Sequence, residues 1–157
     1  MKNASGHHVV VIGAGGIGSH LVPHLGRMEA LTDVTLVDRD VYGCENLATQ
    51  DITRDDVGKA KAKVQARRLR RINPGLRVRA FTDSVENVPL GCLRGDVILT
   101  GLDSRRARQI VGEISRRRIQ PAGGVHALVA LVAVADRTVV GENVGAEVLF
   151  LGPRRCR

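Results

Sequence analysis

Gly13-Ala14-Gly15-Gly16-Ile17-Gly18 follows an apolar run, Val9 to Ile12, and Asp38 closes the next apolar run, Val34 to Val37. Glycines so placed permit a sharp strand-to-helix turn, the approach of a phosphate to bare backbone, and close packing of helix on strand. The unpaired N–H groups and positive end of that helix attract phosphate, and Asp38 is positioned to accept hydrogen bonds from a ribose hydroxyl. The pattern predicts a nucleotide-binding βαβ unit. Glycines in ordinary turns are the alternative, against which the preceding strand and the following acid both argue.

Other reactive side chains are less ordered. His20 and His24 have the i, i+4 spacing of metal ligands on a helix, but no HExxH glutamate or third ligand accompanies them, so packing or solvent exposure is expected. His7, His8 and His126 make no better case. Cys44, Cys92 and Cys156 form no CxxC pair; they supply neither a disulfide framework nor a self-contained zinc site, and suit a reducing compartment. Cys44 and Cys92 are expected to be partly buried.

The elements that must position these residues follow from periodicity. Val9 to Ile12 reads as a first strand and Gly16 to about Met28 as a helix with Ile17, Leu21, Leu25 and Met28 along one stripe, locally disturbed by Pro23. Val34 to Val37 is a fully covered second strand, and Gly43 to about Asp56 a polar loop. A helix is expected from about Asp56 to Ile72, with Asp55 and Asp56 at its N-terminal end, arginines toward its C-terminal end, and Asn73-Pro74-Gly75 as its stop. Leu76, Val78 and Ala80 alternate as a peripheral strand, Val97 to Leu99 forms a short buried one, and Arg105 to about Ile119 a helix. Beyond Pro121 the pattern turns to strands. Ala127 to Ala135, uninterrupted and apolar, reads as a buried strand too short to span a bilayer as a helix.

The sum is an α/β fold, a Rossmann-like doubly wound and mostly parallel sheet with a β-rich C-terminal extension. One domain is expected over 1–157, with a flexible lead-in at 1–7, the core at 8–120 and the β-rich part at 121–157. A chain of 157 residues, 43% hydrophobic and 25% charged, buries a core without metal or disulfides. The net charge of +8 comes mainly from arginine; Arg67, Arg68, Arg70, Arg71 and Arg116 to Arg118 read as solvated helix faces. One Tyr, two Phe and no Trp argue against a reader of single-stranded nucleic acid, so no nucleic-acid partner is expected. Met1 to Gly6 lacks the apolar stretch of a signal peptide, which points to a cytoplasmic protein with no membrane partner.

Four further segments join the glycine loop in a telling order: Asp38-Arg39-Asp40-Val41 running on to Glu45-Asn46-Leu47-Ala48-Thr49-Gln50; Val57-Gly58-Lys59-Ala60-Lys61-Ala62; Arg71-Ile72-Asn73-Pro74; and Thr100-Gly101-Leu102-Asp103-Ser104-Arg105. Over about residues 8 to 125 the chain resembles the ThiF/MoeB-type, ubiquitin-activating-enzyme-like adenylyltransferases. The resemblance implies an ATP-dependent enzyme that adenylates the C-terminal carboxylate of a ubiquitin-like or sulfur-carrier protein, with Mg2+ as cofactor and a homodimer as its state. It further implies that Gly13, Gly15, Gly16 and Gly18 cradle the nucleotide, that Asp38, followed by Asp40, holds the ribose, and that Asn46 and Gln50 line the phosphates. Lys61 would neutralise phosphate charge and Asp103 would position Mg2+, giving Asp103, Lys61 and Asn46 as catalytic candidates. Each has a plainer alternative: Lys61 as a solvated helix lysine, Asp103 and Ser104 as a helix cap, Asn46 as a turn residue.

Departures from the family pattern bear on turnover. The family's Asn-Leu-x-Arg-Gln has Thr49 at its arginine, and threonine replaces neither the charge nor the fork geometry of a guanidinium; Arg39, Arg54 or a partner's arginine would have to compensate. The family's N-terminal helix and paired CxxC zinc ligands are not matched, so the chain is read as a minimal or truncated member in which Cys156 completes no zinc site. Beside nucleic-acid binding driven by the net charge of +8, the least favoured, two alternatives remain open here. One is a catalytically impaired partner subunit that binds nucleotide or carrier without turnover. The other is an NAD-dependent oxidoreductase, which shares the glycine loop and Asp38 but gives no reason for the Asn46–Gln50 and Gly58–Lys61 segments.

Overall fold

A computed structural model describes residues 6–101 and the backbone of 128–131. Its elements are β1 (His7–Ile12), α1 (Gly16–Leu25), β2 (Leu31–Val37), α2 (Lys61–Ile72), β3 (Arg77–Phe81), β4 (Val97–Thr100) and β5 (Leu128–Leu131), with short 3-10 turns in the connections. The five strands form one sheet in the order β3-β2-β1-β4-β5, every neighbouring pair parallel. The chain winds outward from β1 to β3, then returns to the other side of β1 as β4. This reversal is the switch point at which open α/β sheets form a crevice beyond the carboxyl ends of their strands. Thus Gly13, after β1, and Gly101, after β4, lie side by side there.

Both faces of β1 are covered, as its unbroken apolar run requires. Val9 and Val11 point to the α1 and α2 side, where Val22, Leu25, Val34, Leu36, Ala66 and Leu69 complete the core. Val10 and Ile12 point the other way, onto Val85, Val88, Leu93 and Ile98. Among the described residues, the cover on that second face comes from residues 85–93, which form two 3-10 turns (Val85–Asn87 and Leu90–Leu93). Pro89 and Gly91 interrupt any 3.6-residue stripe there, so no helical signal precedes β4 in the sequence.

Several boundaries differ from the periodicity reading. Strand β1 starts at His7, where its N–H donates to the Ala30 carbonyl (2.8 Å), and β2 starts at Leu31. Helix α1 stops at Leu25, not Met28, and buries Gly18, Ser19, Val22 and Pro23; Ile17 and Leu21 are half-buried and Met28 is exposed. The helix rolls its small residues onto the sheet because Gly18 must lie against the Gly13 carbonyl. Pro23, without an N–H, leaves the Ser19 carbonyl without its helical donor and the helix ends two residues later, at Leu25.

Helix α2 begins at Lys61 rather than near Asp56. Thr53 and Asp56 instead close a separate 3-10 turn, Arg54–Asp56, in a capping box. Gly58 then takes a left-handed φ of +81°, and residues 41–42 pair with 58–60: Val41 bridges Ala60, the Tyr42 N–H donates to the Lys59 carbonyl (3.0 Å), and the Gly58 N–H donates to the Tyr42 carbonyl (2.8 Å). This long-range pairing overrides the local helix propensity of 57–60. Strand β3 is the sheet edge, its arginines alternating outward as expected, and Arg77 forks onto Asp33 of β2 at 2.7–2.8 Å.

Leu128–Leu131 continues the parallel sheet as β5 beside β4, so this part of the expected β-rich extension belongs to the core sheet. The helix expected at Arg105 to Ile119, the strands expected beyond 131, Asp103, His126 and Cys156 lie outside the described residues. No described helix is long and apolar enough to cross a membrane.

Candidate functional site

The glycine loop divides into residues that need glycine for folding and residues that leave room. Gly13 has φ +94°, and a Cβ there would sit 2.8 Å from the Gly101 carbonyl oxygen; a Cβ on Gly18 would be driven into the Gly13 carbonyl. These two let β1, β4 and α1 converge. Gly15 and Gly16 differ: among the described residues, a Cβ on Gly16 meets nothing within 4 Å, and one on Gly15 meets only the Gln50 Nε2 at 4.0 Å. Open space therefore lies over bare backbone at the N-terminus of α1, the arrangement that admits a phosphate.

Asp38 lies against this loop. Its Oδ2 accepts from the Ala14 N–H at 2.6 Å and its Oδ1 from the Asp40 N–H at 2.8 Å. An ionised carboxylate keeps further lone pairs for a ribose hydroxyl. Burial pushes the Asp38 carboxyl above the usual carboxylate range, against the opposing pull of the two N–H donors and Lys61. The folded protein thus holds this proton more tightly than the unfolded chain does. The associated stability is complete below the ordinary value of 3.8 and is lost as pH rises through the raised folded value. The stability advantage of the wild type over Asp38→Asn, from urea unfolding, is expected to be larger near pH 4 than near pH 7; an equal difference at both would contradict this account.

Lys61 is only 8% exposed, and its Nζ stands 3.7 Å from the Asp40 carboxylate and 5.5 Å from the centre of the Tyr42 ring. Both are longer than a hydrogen bond, which leaves its N–H donors available for an acceptor. The lysine is also the first residue of α2, the positive end of a helix, where a cation is electrostatically disfavoured. The solvated-lysine alternative does not hold for it.

Asn46 spends its side-chain carbonyl on the Gly43 N–H (2.9 Å) and closes the turn Cys44–Ala48, so the turn role is real; what remains for a ligand is its amide N–H. Gln50 sits over Gly15 with its Oε1 buried and without a hydrogen-bond partner among the described residues. Thr49 is exposed, and its carbonyl lies 3.2 Å from His20 Nε2. Arg39 is exposed and 3.7 Å from Asp40, and Arg54 is exposed in its turn. Cys44 is exposed rather than partly buried, because its turn has no buried residue; Cys92 is half-buried. His20 and His24 are exposed on α1, and no group of metal-ligating side chains forms among the described residues.

Two contributors escaped the sequence reading. Tyr42 is 1% exposed; its hydroxyl donates to the Ala14 carbonyl at 2.9 Å and accepts from Gln65 Nε2 at 2.8 Å. Arg68, read as part of a solvated face, instead holds Asp51 through its carboxylate (2.9 Å) and its carbonyl, while the Asp51 N–H donates to the Ser19 hydroxyl (3.1 Å). A signal for Tyr42 existed: it is the chain's single tyrosine, set in an otherwise polar segment just after Asp38. For Arg68 there was none, since its partner is fixed only by the path of the loop.

A parallel sheet with a glycine cradle at its switch point, an acid at the end of the adjacent strand and a buried lysine beside them defines an α/β nucleotide-binding protein of the doubly wound class. Comparison with known proteins gives the family. The ThiF family profile matches residues 1–134, and the chain belongs to the ThiF family. It is 36% identical over 118 residues to tRNA threonylcarbamoyladenosine dehydratase of Escherichia coli, covering 73% of this chain and 44% of that protein. It is 31% identical over 107 residues to the catalytic subunit of the NEDD8-activating enzyme E1 of Saccharomyces cerevisiae, covering 67% and 36%. Among solved structures, E. coli tRNA N6-threonylcarbamoyladenosine dehydratase in complex with ATP superposes with a TM-score of 0.64 at 33% identity, covering 74% of this chain and 49% of that one. The chain spans less than half the length of these curated relatives.

Proposed function

We propose that this chain binds ATP and catalyses adenylyl transfer to a carboxylate, the carboxyl terminus of a ubiquitin-like or sulfur-carrier protein. The observation that carries the reading is Lys61: a buried ammonium at the positive end of α2, with uncommitted N–H donors, coupled to an open glycine cradle. The cation faces the Asp40 and Asp38 carboxylates without a hydrogen bond to either among the described residues, which leaves its donors free for an arriving phosphate. The described residues fit ATP. Gly15 and Gly16 leave space over backbone N–H groups, and Asp38 has lone pairs for the ribose.

In the reaction a carboxylate oxygen forms a bond to the α-phosphorus, the bond from that phosphorus to the bridging oxygen breaks, and pyrophosphate leaves. The chain's part is to hold the triphosphate against the glycine loop, with Lys61 and the Asn46 amide offsetting the crowded negative charge. Asp103 would hold Mg2+, which when bound polarises the phosphates. The proposed state is a homodimer.

A second substrate class is favoured by two observations. The relative with 36% identity is named for a tRNA nucleoside, and α2 exposes Lys63, Arg67, Arg70 and Arg71 with no acid on the helix. In that reading the activated carboxylate sits on tRNA, and the exposed cations of α2 contact its phosphates.

ATP–pyrophosphate exchange, run with a small carrier protein ending in Gly-Gly and separately with tRNA, tests both. Robust wild-type exchange is the expected result, and the substrate that stimulates it decides the class. If the wild type is silent and Thr49→Arg restores exchange, the chain is the impaired partner. Thermal stabilisation by NAD, with none by ATP and Mg2+, would sink the adenylyltransferase reading.

A further inference from the structure

The glycine loop is held from beneath by a buried tyrosine. Ala14 is 1% exposed, and both of its peptide groups are engaged: its N–H by Asp38, its carbonyl by the Tyr42 hydroxyl. In a trans peptide the C=O and the following N–H point in opposite directions. Drawing the Ala14 carbonyl inward therefore turns the Gly15 N–H away from the Tyr42 hydroxyl, and a Cβ on Gly15 would meet only the Gln50 Nε2 at 4.0 Å among the described residues. As the residue flanking α1, Gly15 has no intrahelical acceptor for that N–H.

Tyr42 is itself fixed from several directions. Its backbone pairs with residues 58–59, its hydroxyl accepts from the fully buried Gln65, and its ring lies below Lys61, one turn before Gln65 on α2. Lys61 pairs with Asp40, whose N–H returns to Asp38. Ala14, Asp38, Asp40, Lys61 and Tyr42 thus form a closed circuit with the phenol as its one hydroxyl link.

We propose that Tyr42 is a positioning residue for nucleotide phosphate: its hydroxyl, steadied by Gln65, holds the Ala14 carbonyl inward so that the Gly15 N–H and Lys61 face the same phosphate. This rests on the ATP reading above. Burial, which pushes the phenol up to about 12, keeps it a hydrogen-bond donor across the working pH range.

The test compares the wild type, Tyr42→Phe and Gln65→Leu for binding of ATP, AMP and adenosine by calorimetry. Phenylalanine keeps the ring under Lys61 and removes only the hydroxyl. Tyr42→Phe is expected to weaken ATP about tenfold, the effect of losing one hydrogen bond to a buried carbonyl, while adenosine, which depends on Asp38, changes less than about twofold. Gln65→Leu, which removes the phenol's donor, is expected to weaken ATP about threefold and serves if the phenylalanine variant does not fold. Unchanged ATP affinity, or equal weakening of ATP and adenosine, in either folded variant overturns the positioning role. A merely structural tyrosine would lower the melting temperature without separating the two ligands. Failure of the wild type to bind ATP would instead overturn the reading on which this one stands.

Discussion

Gly18→Ala is expected to destabilise the protein by about 3 kcal/mol and to abolish nucleotide binding, whereas Gly16→Ala should fold at least as well as the wild type and still bind nucleotide poorly. The contrast follows from what each new methyl would meet. On Gly18 it is driven into the Gly13 carbonyl oxygen, a backbone atom at the end of β1. That carbonyl has little freedom to yield, since Gly13 is also fixed by its N–H bond to the Val37 carbonyl (2.9 Å) and by its left-handed φ. Helix α1 would have to lift from the sheet, carrying Val22 and Leu25 out of the core.

On Gly16 the methyl enters empty space, and alanine at a helical position is favoured over glycine by up to about 1 kcal/mol. The same methyl occupies the side from which a phosphate would approach. Urea unfolding together with ATP binding distinguishes the two variants. Full ATP affinity in Gly16→Ala would show that the open space is not the phosphate cradle, whatever becomes of Gly18→Ala.

Lys61→Met is expected to reduce pyrophosphate exchange about 10²–10³-fold, the usual effect of removing one preorganised cation or donor from a developing charge. Stability should stay within about 1 kcal/mol of the wild type, because methionine fills a similar volume. Its ion-pair partner Asp40 is exposed and can be solvated, so no buried charge is left unpaired. Removing a cation from the positive end of α2 offsets part of what is lost. Lys61→Arg should not restore exchange, since the site beneath Asp40 and over Tyr42 is shaped for a compact ammonium. Exchange rates of stably folded Lys61→Met within tenfold of wild type would remove Lys61 from the phosphate site.

Those expectations draw on different levels of information. The glycine loop, Asp38 and the parallel sheet were legible because local pattern dictates them: unbroken apolar runs require cover on both faces, and a sharp strand-to-helix turn requires glycine. The chain order of Asn46, Gln50 and Lys61 was enough for the family, which its match to the ThiF profile bears out. Helix α2 was misplaced at its start because 57–60 is captured by a bridge to Val41 and Tyr42, a contact between segments that no window of sequence contains. The cover at 85–93 was missed because 3-10 turns have no apolar period to detect.

The sequence by itself determined that a glycine loop turns β1 into α1, on which fold and in which family, since steric need for glycine and burial of apolar strands are properties of short segments. Only the tertiary structure decided how the loop is held. Lys61 proved to be a buried ammonium, Arg68 a clamp on Asp51, and Tyr42 the support of Ala14. The physical reason is the same for all three. The meaning of a polar side chain lies in its partner, and each of these partners is brought within reach by packing α2 against the loops that follow β1 and β2.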